Sequence, residues 1–149
     1  MRRNFEAQHC TFCNLDRRLN QVVWEDEQVI AWEIPKQYQR SELEYQYMVV
    51  PVRHIRFPWE MEKREILSLS QAQIALNEDV QFTGGIWFAR FGDMSLNAGT
   101  VPHLHWNLWQ PKGDAQVSIP VVKGSRARSE NEVRAANFSE RYEGNEIPT

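Results

Sequence analysis

Two of the chain's four histidines lie in one stretch, which reads Asn97-Ala98-Gly99-Thr100-Val101-Pro102-His103-Leu104-His105-Trp106-Asn107-Leu108-Trp109. From residue 103 onward, polar and apolar side chains alternate with a period of two, which predicts a strand with two unlike faces. We expect one face to lie on a core and the other to carry polar side chains about 6.6–7 Å apart. The core-facing residues are Leu104, Trp106 and Leu108, and the polar row is His103, His105 and Asn107.

The same alternation has an ordinary explanation, because half-buried strands commonly show it and exposed histidines need no function. A second set of residues, distant in the sequence, favours a site. Cys10, Cys13 and His54 are residue types that complete a metal-ligand set with the histidines of the strand. His54 follows the strand-like segment 45–51, at a place from which side chains reach a shared site. Considered alone, it would be a surface or capping histidine.

The Cys10-Thr11-Phe12-Cys13 segment has three uses to weigh: metal ligation, a redox couple or a disulfide. A redox pair is expected at a helix start directly after a buried strand, and nothing strand-like precedes residue 10. A structural disulfide is rare in a cytoplasmic protein. Two thiolates from a tight turn are half of a tetrahedral zinc site, and two imidazoles would complete it.

Length and composition indicate one folded domain followed by a tail. The 149 residues are 25% charged and 42% hydrophobic, with a net charge of −3. A protein with this net charge has no broad positive surface of the kind that binds extended nucleic acid. No apolar run is long enough to span a membrane. We therefore expect a cytoplasmic protein with neither partner. We assign residues 1–123 to the domain and residues 124–149 to a charged tail, partly helical or disordered.

The order of strand-like and helix-like segments predicts an α+β domain. An apolar stripe after Pro58 predicts the main helix over 58–77, covering one sheet face, and residues 14–20 are compatible with a short helix. Apart from the strand that carries the histidines, β-branched and aromatic residues indicate further strands. They cover residues 22–25, 28–33, 45–51, 86–91 and 116–122.

Four motifs occur together and in order: the CxxC segment, Val50-Pro51-Val52-Arg53-His54, Arg90-Phe91-Gly92-Asp93, and the stretch from Asn97 to His105. Over about residues 10–111 they resemble the histidine-triad (HIT) superfamily of nucleotide hydrolases and transferases. The resemblance implies an α+β fold with an antiparallel sheet of about five strands, one long helix and a zinc-pinned N-terminal segment, commonly in a homodimer. The tail lies outside it.

The third histidine of the family motif is replaced. Histidine-triad hydrolases have His-φ-His-φ-His, whereas this chain has Asn107 at the last position. The galactose-1-phosphate uridylyltransferase and dinucleoside-polyphosphate phosphorylase branches carry Gln there, and Asn107 is similar to that amide, one methylene shorter. The resemblance therefore points to nucleotidyl chemistry more than to simple hydrolysis.

The resemblance also implies roles for the motif residues. The zinc ligands would be Cys10, Cys13, His54 and His103, and the metal would be structural. His105 would be the nucleophile, assisted by Asn107. Its neutral imidazole would attack the α-phosphorus of a nucleotide or dinucleoside polyphosphate, and water, phosphate or a sugar phosphate would cleave the nucleotidyl-histidine. This chemistry requires the ring to be exposed toward phosphate and free of the metal.

Further residues would contact the substrate. Asn97, Thr100 and the amides around Gly99 are candidate donors to the phosphate oxygens, although Asn97-Ala98-Gly99 is also an ordinary turn. By resemblance the base would lie among apolar residues of the early strands, each of which also fits a core position: Phe12, Ile30 and Trp32. The alternative function is a non-catalytic nucleotide-binding protein that retains the zinc-stabilised fold.

Overall fold

The computed structural model describes residues 6–121, which form one five-stranded antiparallel sheet in the order β1-β2-β3-β5-β4. The predicted α+β class is therefore confirmed, and the predicted strands from 22–25 to 86–91 are found with their ends shifted by at most two residues. The strands are β1 (Val22–Glu25), β2 (Val29–Glu33), β3 (Leu43–Pro51), β4 (Ile86–Arg90) and β5 (His105–Pro111).

One long helix, α1 (Lys63–Val80), follows β3 and packs on the sheet. Its first turn is closed by Glu65, whose carboxylate accepts from the backbone N–H of Glu62 at 2.8 Å. The helix begins later than the predicted residue 58 because Pro58–Glu60 forms a separate 3-10 turn. A short helix, α2 (Met94–Asn97), precedes β5. Among the described residues, no helix is long and apolar enough to cross a membrane.

Both faces of the sheet are covered. On one face α1 buries an apolar cluster that includes Ala72 and Leu76, against which Trp106 and Leu108 pack as predicted. The opposite face was expected to be an open polar row, and that expectation is wrong in one respect. His103, His105 and Asn107 do lie on that face, but they are buried, because the N-terminal segment folds over them and places Phe12 against the histidine rings.

Two weaker predictions of secondary structure are wrong. Residues 14–20 form turns instead of a helix, since the Asp16 side chain accepts from the backbone of Arg18 and ends local helical bonding. Residues 116–121, at the end of the described chain, form no strand. Their carbonyls bond to arginine side chains of the domain instead of to a neighbouring strand. The proposed tail, residues 124–149, lies outside the described residues.

Candidate functional site

The turn before β5 sets the position of its histidines. Asn97 ends α2, and its side chain accepts from the N–H of Gly99 at 2.7 Å and donates to the carbonyl of Phe91 at 2.6 Å. A Cβ on Gly99 would lie 2.7 Å from that same Asn97 oxygen, so the turn requires glycine there. Leu104 then donates its N–H to Ile55 at 2.7 Å, which ties the strand entry to the segment after β3.

Four thiol and imidazole side chains meet where the N-terminal segment crosses this strand entry. The ligand atoms of Cys10, Cys13, His54 and His103 all lie within 4.8 Å of one another. The Cys13 sulfur lies 3.3 Å from Nδ1 of His54 and 3.5 Å from Nδ1 of His103, and the Cys10 sulfur lies 3.4 Å from the latter. The structure therefore brings together all four residues of the predicted ligand set.

The tautomer of His103 follows from its second nitrogen. Nε2 lies 2.8 Å from the carbonyl oxygen of Pro51, which can only accept, so Nε2 carries the proton. Nδ1 therefore presents a lone pair toward both sulfurs. A backbone carbonyl behind a ligating histidine is a usual outer partner of metal sites.

The thiols are also perturbed. A hydrogen bond with Cys13 is the main cause that lowers the pKa of Cys10, with burial opposing and His103 adding to the decrease. The same hydrogen bond, together with burial, raises the pKa of Cys13. Two sulfur atoms and an imidazole lone pair thus face one another, and a cation would relieve that arrangement. Tetrahedral zinc with its usual bond lengths places sulfur and nitrogen ligands about 3.5 Å apart, so the donor set fits zinc.

His105 is separate from this cluster. Its Nδ1 lies 2.7 Å from the carbonyl oxygen of His103 and must donate to it, which leaves the lone pair on Nε2, without a hydrogen bond from any described residue. Burial lowers the pKa of His105 to about 4, so the imidazole is neutral at pH 7. The residue is only 5% exposed, with the Phe12 ring centre 5.3 Å away. The predicted freedom from the metal cluster is found, and the predicted exposure is not.

Asn107 follows two residues later on the same face and is 4% exposed. In the register of the sheet it lies between Met48 of β3 and Phe88 of β4. Its Nδ2 is buried and has no hydrogen-bond partner. A buried amide donor without an acceptor costs free energy and is typical of a site that completes its bonding with a ligand.

The predicted substrate residues divide into two groups. The side chain of Asn97 and the amide of Gly99 bond to each other, so the structure uses them to build the turn; Thr100 lies beside it, half-buried. Phe12, Ile30 and Trp32 share one apolar cluster, and only Phe12 packs directly on the His105 ring.

Phe12 and Ile30 also line a cavity of about 340 Å³ that does not include His105. Other apolar walls come from Leu15 and Val52. Its charged walls carry three carboxylates and one guanidinium, which disfavours phosphate but tolerates a nucleobase. The charged residues are Arg17, Glu25, Asp26 and Glu27.

The sequence did not single out Arg90 as a site residue, although it lies in one of the quoted motifs. In the register of β4 and β5 it lies directly opposite His105. Burial lowers the pKa of Arg90, and its guanidinium donates to the backbone carbonyls of Asn97 and Pro120. The sequence places Arg90 on a predicted strand but does not show which residue lies opposite it. Only the pairing register in the structure shows that this residue is His105.

No protein-family model and no curated protein matches this chain. Solved structures do. A HIT family hydrolase from Clostridium thermocellum aligns with a TM-score of 0.56 and 23% identity, covering 74% of this chain and 96% of that one. A Zn-bound histidine triad family protein from Mycobacterium smegmatis aligns with a TM-score of 0.55 and 14% identity, covering 93% and 96%.

A diadenosine triphosphate hydrolase from Plasmodium falciparum aligns with a TM-score of 0.53 and 14% identity, covering 89% of this chain and 80% of that one. Each of these alignments covers 74% or more of this chain. At sequence identities this low, the alignments show that the fold is shared. The chemistry has to be argued from the residues of this chain. The chain has the fold of the histidine-triad proteins.

Proposed function

We propose that this protein is a nucleotidyl hydrolase or transferase in which His105 is the nucleophile. The observation that carries the proposal is the state of its ring: Nδ1–H is held by the carbonyl of His103, and Nε2 keeps an unpaired lone pair outside the Cys/His cluster. A neutral imidazole with a fixed tautomer is an activated nucleophile for phosphorus. Two neighbours in fold, a HIT family hydrolase and a diadenosine triphosphate hydrolase, support this chemistry for the chain.

In the first step, the Nε2 lone pair forms a bond to the α-phosphorus of a nucleotide or dinucleoside polyphosphate. The bond from phosphorus to the leaving-group oxygen breaks, and its electron pair departs with that oxygen. The nucleotidyl-histidine carries a positive ring, which the hydrogen bond from Nδ1 to His103 stabilises. Water, phosphate or a sugar phosphate then attacks the phosphorus, and the N–P bond breaks.

Asn107 is suited to the phosphoryl oxygens in both steps. Its unpaired Nδ2 lies on the same strand face as His105, two residues further along. Negative charge increases on the non-bridging oxygens as the bond to nitrogen forms, so an amide donor there stabilises the transition state. Because Phe12 covers the ring of His105, we infer that this side chain moves when a nucleotide enters.

We also propose that Cys10, Cys13, His54 and His103 hold a structural zinc ion. Four protein donors leave no open coordination position, so the ion would not act as a Lewis acid. It would balance the thiolates and fix the N-terminal segment on the sheet, next to His105. The sulfur atoms that face the lone pair of His103 support this assignment, as does the Zn-bound neighbour in fold.

A non-catalytic nucleotide-binding protein is the second candidate. The burial of His105 beneath Phe12 and the replacement of the third motif histidine by Asn107 favour it. In that function the cavity beside Phe12 would take the base, and no covalent intermediate would form.

Intact-mass spectrometry after mixing with diadenosine polyphosphates, with and without added phosphate, separates the two functions. We expect a nucleotidyl adduct on the wild type and none on His105→Ala. His9→Ala is the matched control, since it removes an imidazole that lies outside the Cys/His cluster. Tight nucleotide binding without adduct or turnover would instead identify the binder.

A further inference from the structure

A ladder of cationic and aromatic side chains continues from the His105 region across the same face of the sheet. The guanidinium carbon of Arg40 lies 4.6 Å from the Trp109 ring centre, and the Trp109 and Phe88 ring centres are 4.8 Å apart. The guanidinium carbon of Arg90 lies 5.3 Å from the Phe88 ring. Arg90 and Phe88 pair with His105 and Asn107, so the ladder flanks the proposed nucleophile.

Positive charge exceeds negative charge in this ladder. Arg90 has no carboxylate of the described residues within ion-pair distance. Glu42 reaches Arg40 only at 3.7 Å from Nε. Burial lowers the pKa of both arginines, and the charge of Arg40 lowers the pKa of Arg90 further. Two partly buried cations and one carboxylate, paired with Arg40, leave a net positive charge, which favours an additional anion.

Three buried donors lie in the same region, and the Nε of Arg40 among them lies 3.7 Å from Oε2 of Glu42. Nδ2 of Asn107, Nε1 of Trp109 and Nε of Arg40 are buried and have no hydrogen-bond partner. Asn107 and Trp109 are each 4% exposed and lie on one face of β5, two residues apart. A group of buried donors without an acceptor is matched by a ligand rich in acceptor oxygens.

The last described residues supply two of the acceptors that the arginines of the ladder now have. We call residues 116–121 the C-terminal strap. The carbonyl of Ser118 accepts from Arg40 at 3.0 Å, and the carbonyl of Pro120 accepts from Arg90 at 2.6 Å. These two oxygens, two residues apart, occupy the arginines as uncharged substitutes for the oxygens of an anion, and charged acceptors would bind the guanidinium groups more strongly.

We propose that Arg40 and Arg90, with Trp109, form an anion subsite beside Asn107 for the phosphates beyond the α-phosphate, and that the C-terminal strap closes this subsite until a polyphosphate displaces it. The proposal deepens the proposed function and rests on it for the name of the site. It assigns a substrate class whose leaving group is an oligophosphate, such as a dinucleoside polyphosphate. A substrate whose leaving group has no phosphate would not displace the strap, so both arginines would stay hydrogen-bonded to its carbonyls.

Inorganic tripolyphosphate is the probe, titrated calorimetrically into the full-length metal-loaded protein. We expect binding to the wild type, weakened about tenfold or more in Arg40→Gln and in Arg90→Gln. Arg40→Lys should retain part of the affinity. Arg56→Gln is the matched control, because Arg56 also donates to a backbone carbonyl, that of Gly92, but lies outside the ladder. Its affinity should equal that of the wild type.

Limited proteolysis provides a test that needs no variant. Tripolyphosphate should increase cleavage within residues 116–121 by a protease of broad specificity if it displaces the strap. A wild type that does not bind tripolyphosphate, or one that binds it with an unchanged strap and equal affinity in the arginine variants, would overturn the proposal.

The two proposals fail separately. His105→Ala should bind tripolyphosphate like the wild type, so the subsite can be present even where no nucleotidyl adduct forms. Conversely, an adduct on the wild type with no effect of the arginine variants on tripolyphosphate binding would leave His105 as the nucleophile and remove the subsite.

Discussion

Gly99 shows how a single residue holds the entry to the site. Its N–H bonds to the Asn97 side chain, and a methyl group there would approach the same oxygen to 2.7 Å. Asn97 cannot rotate away without losing its second bond, to Phe91. We expect Gly99→Ala to lower the free energy of unfolding by about 1–3 kcal/mol, measured by urea denaturation.

Gly113→Ala is the control for this prediction, because a methyl group there would meet no atom within 4 Å. We expect it to leave stability unchanged or slightly raised, since alanine restricts the unfolded chain. Equal stability of the two variants would show that the Asn97 side chain adapts, and that the turn is softer than its hydrogen bonds indicate.

At the scale of single residues, sequence reasoning predicted different places for the two histidines. Alternation placed His103 and His105 on one face, and the distant Cys10, Cys13 and His54 marked His103 as the member of a ligand set; the structure gathers those four. Alternation could not show that Phe12 covers His105, or that Arg90 lies opposite it. Both contacts join residues far apart in sequence, and a strand pattern contains no pairing register.

Among the elements, α1 depends on one buried carboxylate at its start. Glu65 accepts from Glu62 N–H and from the Arg53 guanidinium, at 2.8 and 2.7 Å. Burial opposes ionisation of Glu65, but the bonds from Arg53 and Glu62 outweigh it, so the pKa lies below the usual 4.5. A lowered folded-state pKa stabilises the protein above the unfolded value, and this contribution disappears as pH falls through the lowered value.

We therefore expect Glu65→Gln to reduce the free energy of unfolding by about 1–2 kcal/mol at pH 7, a modest figure because Arg53 is half exposed. The difference from wild type should shrink as pH decreases from 4.5 toward 3. Thermal unfolding across this range is the measurement. Glu25→Gln, which removes a carboxylate from the exposed pair with Arg17, should have little effect at any pH. A difference that does not shrink as the pH falls below 4.5 would contradict the electrostatic explanation.

The elements that sequence reasoning found are those with a strong local pattern. β1 to β4 have β-branched and aromatic residues bounded by turns, and their predicted limits differ little from the observed ones. The predicted strand at 116–122 has the same composition, yet residues 116–121 bond through Ser118 and Pro120 to arginine side chains. Local composition gives a segment the propensity to form a strand. The segment becomes a strand only when its backbone pairs with a neighbouring strand.

For the whole molecule, the decisive feature is a sheet covered on both faces by very different material. α1 covers one face with an apolar stripe, which periodicity predicts. A short, turn-rich N-terminal segment covers the other, and it has no periodicity to read. Its attachment depends on Phe12 and on two cysteines meeting two histidines, so the proposed zinc ion would connect the stability of the molecule to the geometry around His105.

If zinc makes that connection, its removal should affect one face of the molecule first. Elemental analysis of the purified protein should give one zinc ion per chain. A ligand that binds only the folded state stabilises that state by about 4 kcal/mol when its free concentration is about 1,000 times its Kd. Removing the metal with a chelator should lower the unfolding temperature. Amide exchange should increase in residues 10–13 earlier than it increases in α1. Cys13→Ser should have the same two effects as removal of the metal. His9→Asn, which changes a residue outside the ligand set, should have neither effect. Zinc-free protein of unchanged stability, with a dithiol that titrates, would instead revive the redox function of the cysteine pair.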